Sequence, residues 1–209
     1  MGGSIGFYGS TLNTRQYATK GYLEKLIAQV FTGRERFEPG NPQEGYSPSP
    51  QERQSWLQIS YMKEAYHTMG PKFTLGWMAE ALYSSKNFSE NYTATMMQAG
   101  EFAPTPHSKL MYNEAFRANQ YVAAGIKPIY VLNDMFQFRT EFYGFTPIFP
   151  IKKNALNKAY YGKAFSRFEY MGEVSVICHL PFGAISAYVN HYSSPRREWN
   201  VGMTIGWQL

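Results

Sequence analysis

The chain opens on a serine framed by glycines. Gly2-Gly3-Ser4-Ile5-Gly6 has the G-x-S-x-G spacing of a nucleophile elbow, in which a sharp strand-to-helix turn presents a serine hydroxyl to a base. That turn needs a buried strand before it and a helix after it. Here the sequence starts at the motif and continues as an alternating strand, so the match is read as fortuitous. The only aspartate, Asp134, falls in a tight turn, which removes the second half of a serine-aspartate dyad. Ser186 and Asn190 with His179 or His191 hold the residue types of a lipolytic site on a strand wall, but these are also ordinary inward-facing strand residues. The four histidines, His67, His107, His179 and His191, show no metal-ligand spacing. The single Cys178 excludes an intrachain disulfide and a CxxC site, and phosphate-cradling glycine loops are missing, so no cofactor or metal is expected. The remaining residue of interest is Arg117, a lone cation within Asn113-Glu114-Ala115-Phe116-Arg117-Ala118-Asn119-Gln120-Tyr121. A buried arginine needs a carboxylate to accept its planar fork.

The elements that position these residues are strands. The 209 residues suffice for one sizeable domain spanning 1–209, with 44% hydrophobic and 17% aromatic content. No window approaches the 18 or more consecutive apolar residues of a membrane-spanning helix, whereas a membrane β-barrel remains open because its strands alternate. The last stretch alternates to its end: Trp199, Val201, Met203, Ile205, Trp207 and Leu209 oppose Asn200, Gly202, Thr204, Gly206 and Gln208. Phe136, Phe138, Thr140 and Phe142 oppose Gln137, Arg139, Glu141 and Tyr143, and Phe168, Tyr170, Val174, Val176, Cys178 and Leu180 oppose Arg167, Glu169, Glu173, Ser175 and His179. Charges of both signs on one face suit a wet or plugged lumen with lipid outside. Weaker alternation over 3–11, 21–34, 55–66, 73–85, 120–131 and 185–192 brings the expected count to nine strands.

The connections alternate short and long: 13–20, 35–54, Gly70-Pro71, 86–119, Asn133-Asp134, 146–164, 181–183 and 193–197. Short turns on one rim and longer loops on the other are the habit of an antiparallel, up-and-down transmembrane barrel. Nine is an odd number, so earlier strands are expected outside this sequence or on a partner chain. Tyr61, Trp77, Tyr83, Trp199 and Trp207 suit interfacial girdles. The net charge of +5, with Lys152, Lys153, Lys158, Lys163, Arg196 and Arg197 in connections, fits loops near anionic headgroups better than a nucleic-acid groove.

With that pattern in place, Ser4-Ile5-Gly6-Phe7-Tyr8-Gly9-Ser10-Thr11-Leu12-Asn13 followed by Tyr17-Ala18-Thr19-Lys20-Gly21 resembles the strand-turn-strand of the bacterial surface antigen superfamily, which includes outer-membrane assembly factors and two-partner secretion transporters. Pro104-Thr105-Pro106-His107-Ser108, Asn113 to Tyr121 and Phe142-Tyr143-Gly144-Phe145 resemble the barrel that follows patatin-like phospholipase domains in Bacteroidetes proteins. The resemblance implies a barrel of about sixteen strands, of which this chain is the C-terminal part. It also implies a hallmark loop, here 86–119, folded into the lumen with an arginine at its tip. Phe116-Arg117-Ala118 stands at that tip, with Ala118 where the family pattern has glycine, and the implied acidic partner is Glu141, or alternatively Glu169. Asn200, Gly202, Ile205 and Trp207 resemble the signal that the outer-membrane insertion machinery reads.

The expectation is a bacterial outer-membrane barrel that anchors, or also translocates, an N-terminal patatin-like phospholipase passenger whose lipolytic chemistry lies outside these residues. Its expected partners are outer-membrane lipids, the insertion machinery, the rest of its own barrel and the passenger, with no nucleic acid. A barrel-wall lipolytic enzyme and a porin-like channel are the competing readings.

Overall fold

A computed structural model describes residues 1–35, 53–194 and 199–207, the side chain of Trp207 excepted. The connection over 36–52, Arg196, Arg197, Gln208 and Leu209 lie outside the described residues, as does the Trp207 side chain.

Each period-two stretch is a strand. In chain order they are β1 (Gly2–Ser10), β2 (Gly21–Arg34), β3 (Arg53–Thr68) and β4 (Phe73–Ser84), then a helix α1 (Tyr92–Gln98) and two short strands, β5 (Gly100–Glu101) and β6 (Arg117–Ala118). These are followed by β7 (Gln120–Val131), β8 (Phe136–Pro147), β9 (Ile151–Lys153), β10 (Ala159–Tyr161), β11 (Glu169–Leu180), β12 (Gly183–Tyr192) and β13 (Trp199–Trp207). The nine long strands form one antiparallel meander in the order β1-β2-β3-β4-β7-β8-β11-β12-β13. The expected all-β, up-and-down architecture is therefore present as a nine-stranded sheet. Among the described residues β1 pairs only with β2 and β13 only with β12, so both edges of the sheet are free.

Two of the long connections carry more structure than plain loops. Residues 86–119 hold α1 and the β5–β6 pair, and 148–168 hold the β9–β10 hairpin. Their short elements fall below the length at which periodicity in sequence is visible.

The sheet is two-faced. Along β8, Phe138 and Phe142 are 45% and 54% exposed while Arg139 and Glu141 are 3% and 7% exposed. Val174 and Val176 of β11 are exposed and Glu173 and Ser175 buried, as the alternation requires. The register carries the apolar face across neighbouring strands: Ile126 lies opposite Phe142, and Val189 opposite Val201. On the inward face, glycines make room for rings on adjacent strands. A Cβ on Gly76 would stand 2.7 Å from the Tyr66 ring, and one on Gly125 2.1 Å from the Tyr143 ring.

The inward face is covered in two storeys. Toward the rim of long connections, Phe102 and Phe116 from residues 86–119 pack on Tyr121, Tyr143, Phe145, Met171 and Tyr192 of the sheet. Toward the rim of short turns, Ala18 from the β1–β2 connection packs on Tyr66 and Ile129.

Candidate functional site

Arg117 stands directly across from Glu101 in the β5–β6 pair, and their side chains form an ion pair. Its other terminal nitrogen donates to the carbonyls of Met96, Met97 and Ala99 at 3.3, 3.0 and 3.1 Å. These are carbonyls at the C-terminal end of α1, where backbone acceptors lack helical partners and a cation is favoured. The guanidinium also lies 4.8 Å from the centre of the Tyr112 ring. Arg117 thus fastens the long loop to itself.

This corrects the expected pairing with Glu141 or Glu169. Glu141 is held by Arg139, two residues away on the same face of β8. Glu169 accepts from Arg167 at 2.8 Å and from the Ser193 hydroxyl at 2.6 Å. A neighbour two residues away along an extended chain lies on the same side and costs no loop closure, so it captures the carboxylate first. The loop does fold onto the inward face, but through Phe102 and Phe116, each 1% exposed, rather than through its arginine. The Phe102 ring lies 5.9 Å from Phe145 and 6.0 Å from Tyr143, and Phe116 lies 5.7 Å from Phe145. The close backbone approach falls to Gly100, opposite Ala118: a Cβ there would stand 2.8 Å from Leu82 and 3.2 Å from the Ala118 carbonyl oxygen.

The lower storey is a buried polar network centred on Arg139. Its Nε pairs with Glu141, one terminal nitrogen donates to the Tyr66 hydroxyl at 2.6 Å, and the other to the Ala18 carbonyl at 3.1 Å. Glu141 also accepts from the Tyr143 hydroxyl, and Glu64 from Tyr66 and from Lys127 at 3.1 Å. Gln137 donates to the Tyr17 carbonyl at 3.2 Å, and the Tyr17 and Ser186 hydroxyls are 2.6 Å apart. Glu173 sits beside Asn190 and Thr105. The network therefore pins the β1–β2 connection inside the curve of the sheet through its backbone carbonyls. Sequence reasoning missed Glu101, Tyr17 and Ala18 as partners. The one signal for the first was that Gly100-Glu101-Phe102 mirrors Phe116-Arg117-Ala118 in charge and bulk.

The upper storey has its own polar contact. His107 Nδ1 lies 2.9 Å from the Tyr192 hydroxyl, its ring packs on Tyr188 and Tyr192, and burial pushes its pKa below the usual histidine value.

Among the described residues no side-chain hydrogen bond joins Ser4 or Ser186 to a histidine. Ser4 lies near the start of β1, which leads into β2 with no helix between them, and the hydroxyl of Ser186 meets Tyr17. Among the described residues no group of three or more His, Cys, Asp or Glu could hold a metal ion.

Of the aromatics, Tyr83 and Trp199 are exposed near the rim of long connections. Trp77 lies toward the turn rim and donates to His67 at 3.4 Å. Tyr61 departs from the girdle expectation: it stands midway along β3 and donates to Glu24 at 2.7 Å, because Glu24 on β2 needs a donor on that face. In β13, Asn200 pairs with Asn190, Gly202 accommodates Tyr188, and Ile205 is exposed. No protein-family model, curated protein or solved structure matches this chain.

Proposed function

We propose that this chain is the lipid-embedded part of an outer-membrane β-barrel and that its role is to anchor. The supporting observation is the inversion of the sheet. Leu26, Val30, Ile59, Ile126, Phe138, Phe142, Val174, Val176 and Ile205 are exposed on one face, while Lys127, Arg139, Glu141 and Glu173 are buried on the other. An apolar surface of this extent calls for a covering phase, and charges gathered inside a sheet are the reverse of a water-soluble barrel. The free edges of β1 and β13 would take the remaining strands, because unpaired backbone groups are costly in hydrocarbon.

Two segments folded against the inward face, 86–119 and 13–20, favour an anchor over an open porin-like channel. The Tyr17–Ser186 contact weighs against a barrel-wall hydrolase. A patatin-like phospholipase passenger ahead of the barrel rests on the sequence resemblance of residues 4–21, 104–108, 113–121 and 142–145.

Single-tryptophan variants of the full chain in lipid vesicles test the membrane reading. Trp199, 72% exposed on the outward face, is expected to lose most of its fluorescence when dibrominated phosphatidylcholine replaces the ordinary lipid, and Trp56 on the inward face much less. Equal emission of Trp199 in the two vesicles would refute it.

A further inference from the structure

On the outward face an open apolar depression of about 320 Å³ crosses β7, β8 and β11. Its floor is Ala124 and Gly144, which lie opposite each other, and its walls are Ile126, Phe142, Phe168 and Tyr170. A side chain on Gly144 would intrude, since a Cβ there would stand 3.0 Å from the Phe168 ring.

Immediately beyond Phe168, on the rim of long connections, lies the segment 148–166. It contains four lysines and no acidic residue, and the rest of the chain is close to balanced, with sixteen basic and fifteen acidic residues. Lys152, Lys153, Lys158 and Lys163 are all exposed. Lys158 approaches Glu90 only at 3.9 Å and Lys153 lies over the Tyr92 ring at 5.8 Å. Lys152 and Lys163 have no carboxylate partner among the described residues. Arg167, which is paired with Glu169, does not contribute free charge.

We propose that the depression and the lysines above it form a binding site for an acylated lipid whose phosphate headgroup carries net negative charge. One acyl chain lies in the depression and the phosphate sits between Lys152 and Lys163. The inference rests on the membrane reading. An apolar notch alone accepts any chain; the unpaired lysines at the headgroup level select an anionic one, each contributing about fivefold to retention.

The full chain in mild detergent, examined by native mass spectrometry with dioleoyl phosphatidic acid or dioleoyl phosphatidylcholine, tests it. Phosphatidic acid is expected to be retained preferentially. Lys152→Gln with Lys163→Gln should remove about 25-fold of its retention and leave phosphatidylcholine unchanged. Ala124→Phe, which fills the floor from an exposed position, should weaken both lipids. Equal retention of the two lipids, or variants that bind as the parent does, overturns the proposal. The Trp199 quenching experiment in vesicles separates the two failures. Quenching without phosphatidic acid preference sinks only the lipid site, and absence of quenching sinks the membrane reading on which it stands.

Discussion

Replacing Arg139 by methionine removes a donor that touches three parts of the interior: Glu141 on its own strand, Tyr66 on β3 and the Ala18 carbonyl of the β1–β2 connection. Methionine fills much of the same volume, so the loss is electrostatic rather than a cavity. Glu141 is left buried, with the Tyr143 hydroxyl as its remaining hydrogen bond. Breaking a buried pair by removing one partner typically costs about 3–5 kcal/mol. Removing both charges costs far less, so the Arg139→Met, Glu141→Leu double variant should recover most of that loss. Urea unfolding of the refolded chain in detergent micelles, followed by tryptophan fluorescence, gives both differences. Tryptic cutting after Arg15 or Lys20 supplies a local readout, because the connection holding them loses its anchor. A loss below about 1 kcal/mol for Arg139→Met, outside the range expected for a broken buried pair, or a double variant no better than the single, would refute the network as the fastening of this storey.

Arg117→Ala should act locally: loss of hydrogen bonds from a charged donor costs about 1.5–3 kcal/mol each, and amide hydrogen exchange should quicken over α1, β5 and β6 while the sheet stays protected. Faster exchange across β8 and β11 as well would contradict an arginine that fastens the loop only to itself. Partial burial favours the neutral form of His107 in the folded chain, so on acidification the unfolded chain binds the extra proton first. Stability should therefore fall as the pH drops below the ordinary histidine value of about 6.5, until the lowered folded value is reached. Unfolding midpoints against pH, compared between the parent and His107→Phe, check this: the variant should lose that slope, and identical slopes would refute it.

The sequence alone determined the strands, their sidedness and the short-turn rim, because a two-residue period is a local property that each strand repeats several times. Gln137, Arg139, Glu141 and Tyr143 alternating with phenylalanines and threonine could only face one way together. The loop over 86–119 packs on the inward face through Phe102 and Phe116, and its arginine meets Glu101 rather than the expected Glu141 or Glu169. The tertiary structure decided the partners. Whether Arg117 meets Glu101 or Glu141 depends on a two-residue strand pair and a seven-residue helix, too short to leave a periodic trace. That Tyr17 and Ala18 reach Ser186, Gln137 and Arg139, more than a hundred residues away, depends on the curvature of the whole sheet. Ion-pair choice is settled by proximity after the chain is placed, and proximity between a turn and distant strands is not encoded in the spacing of either.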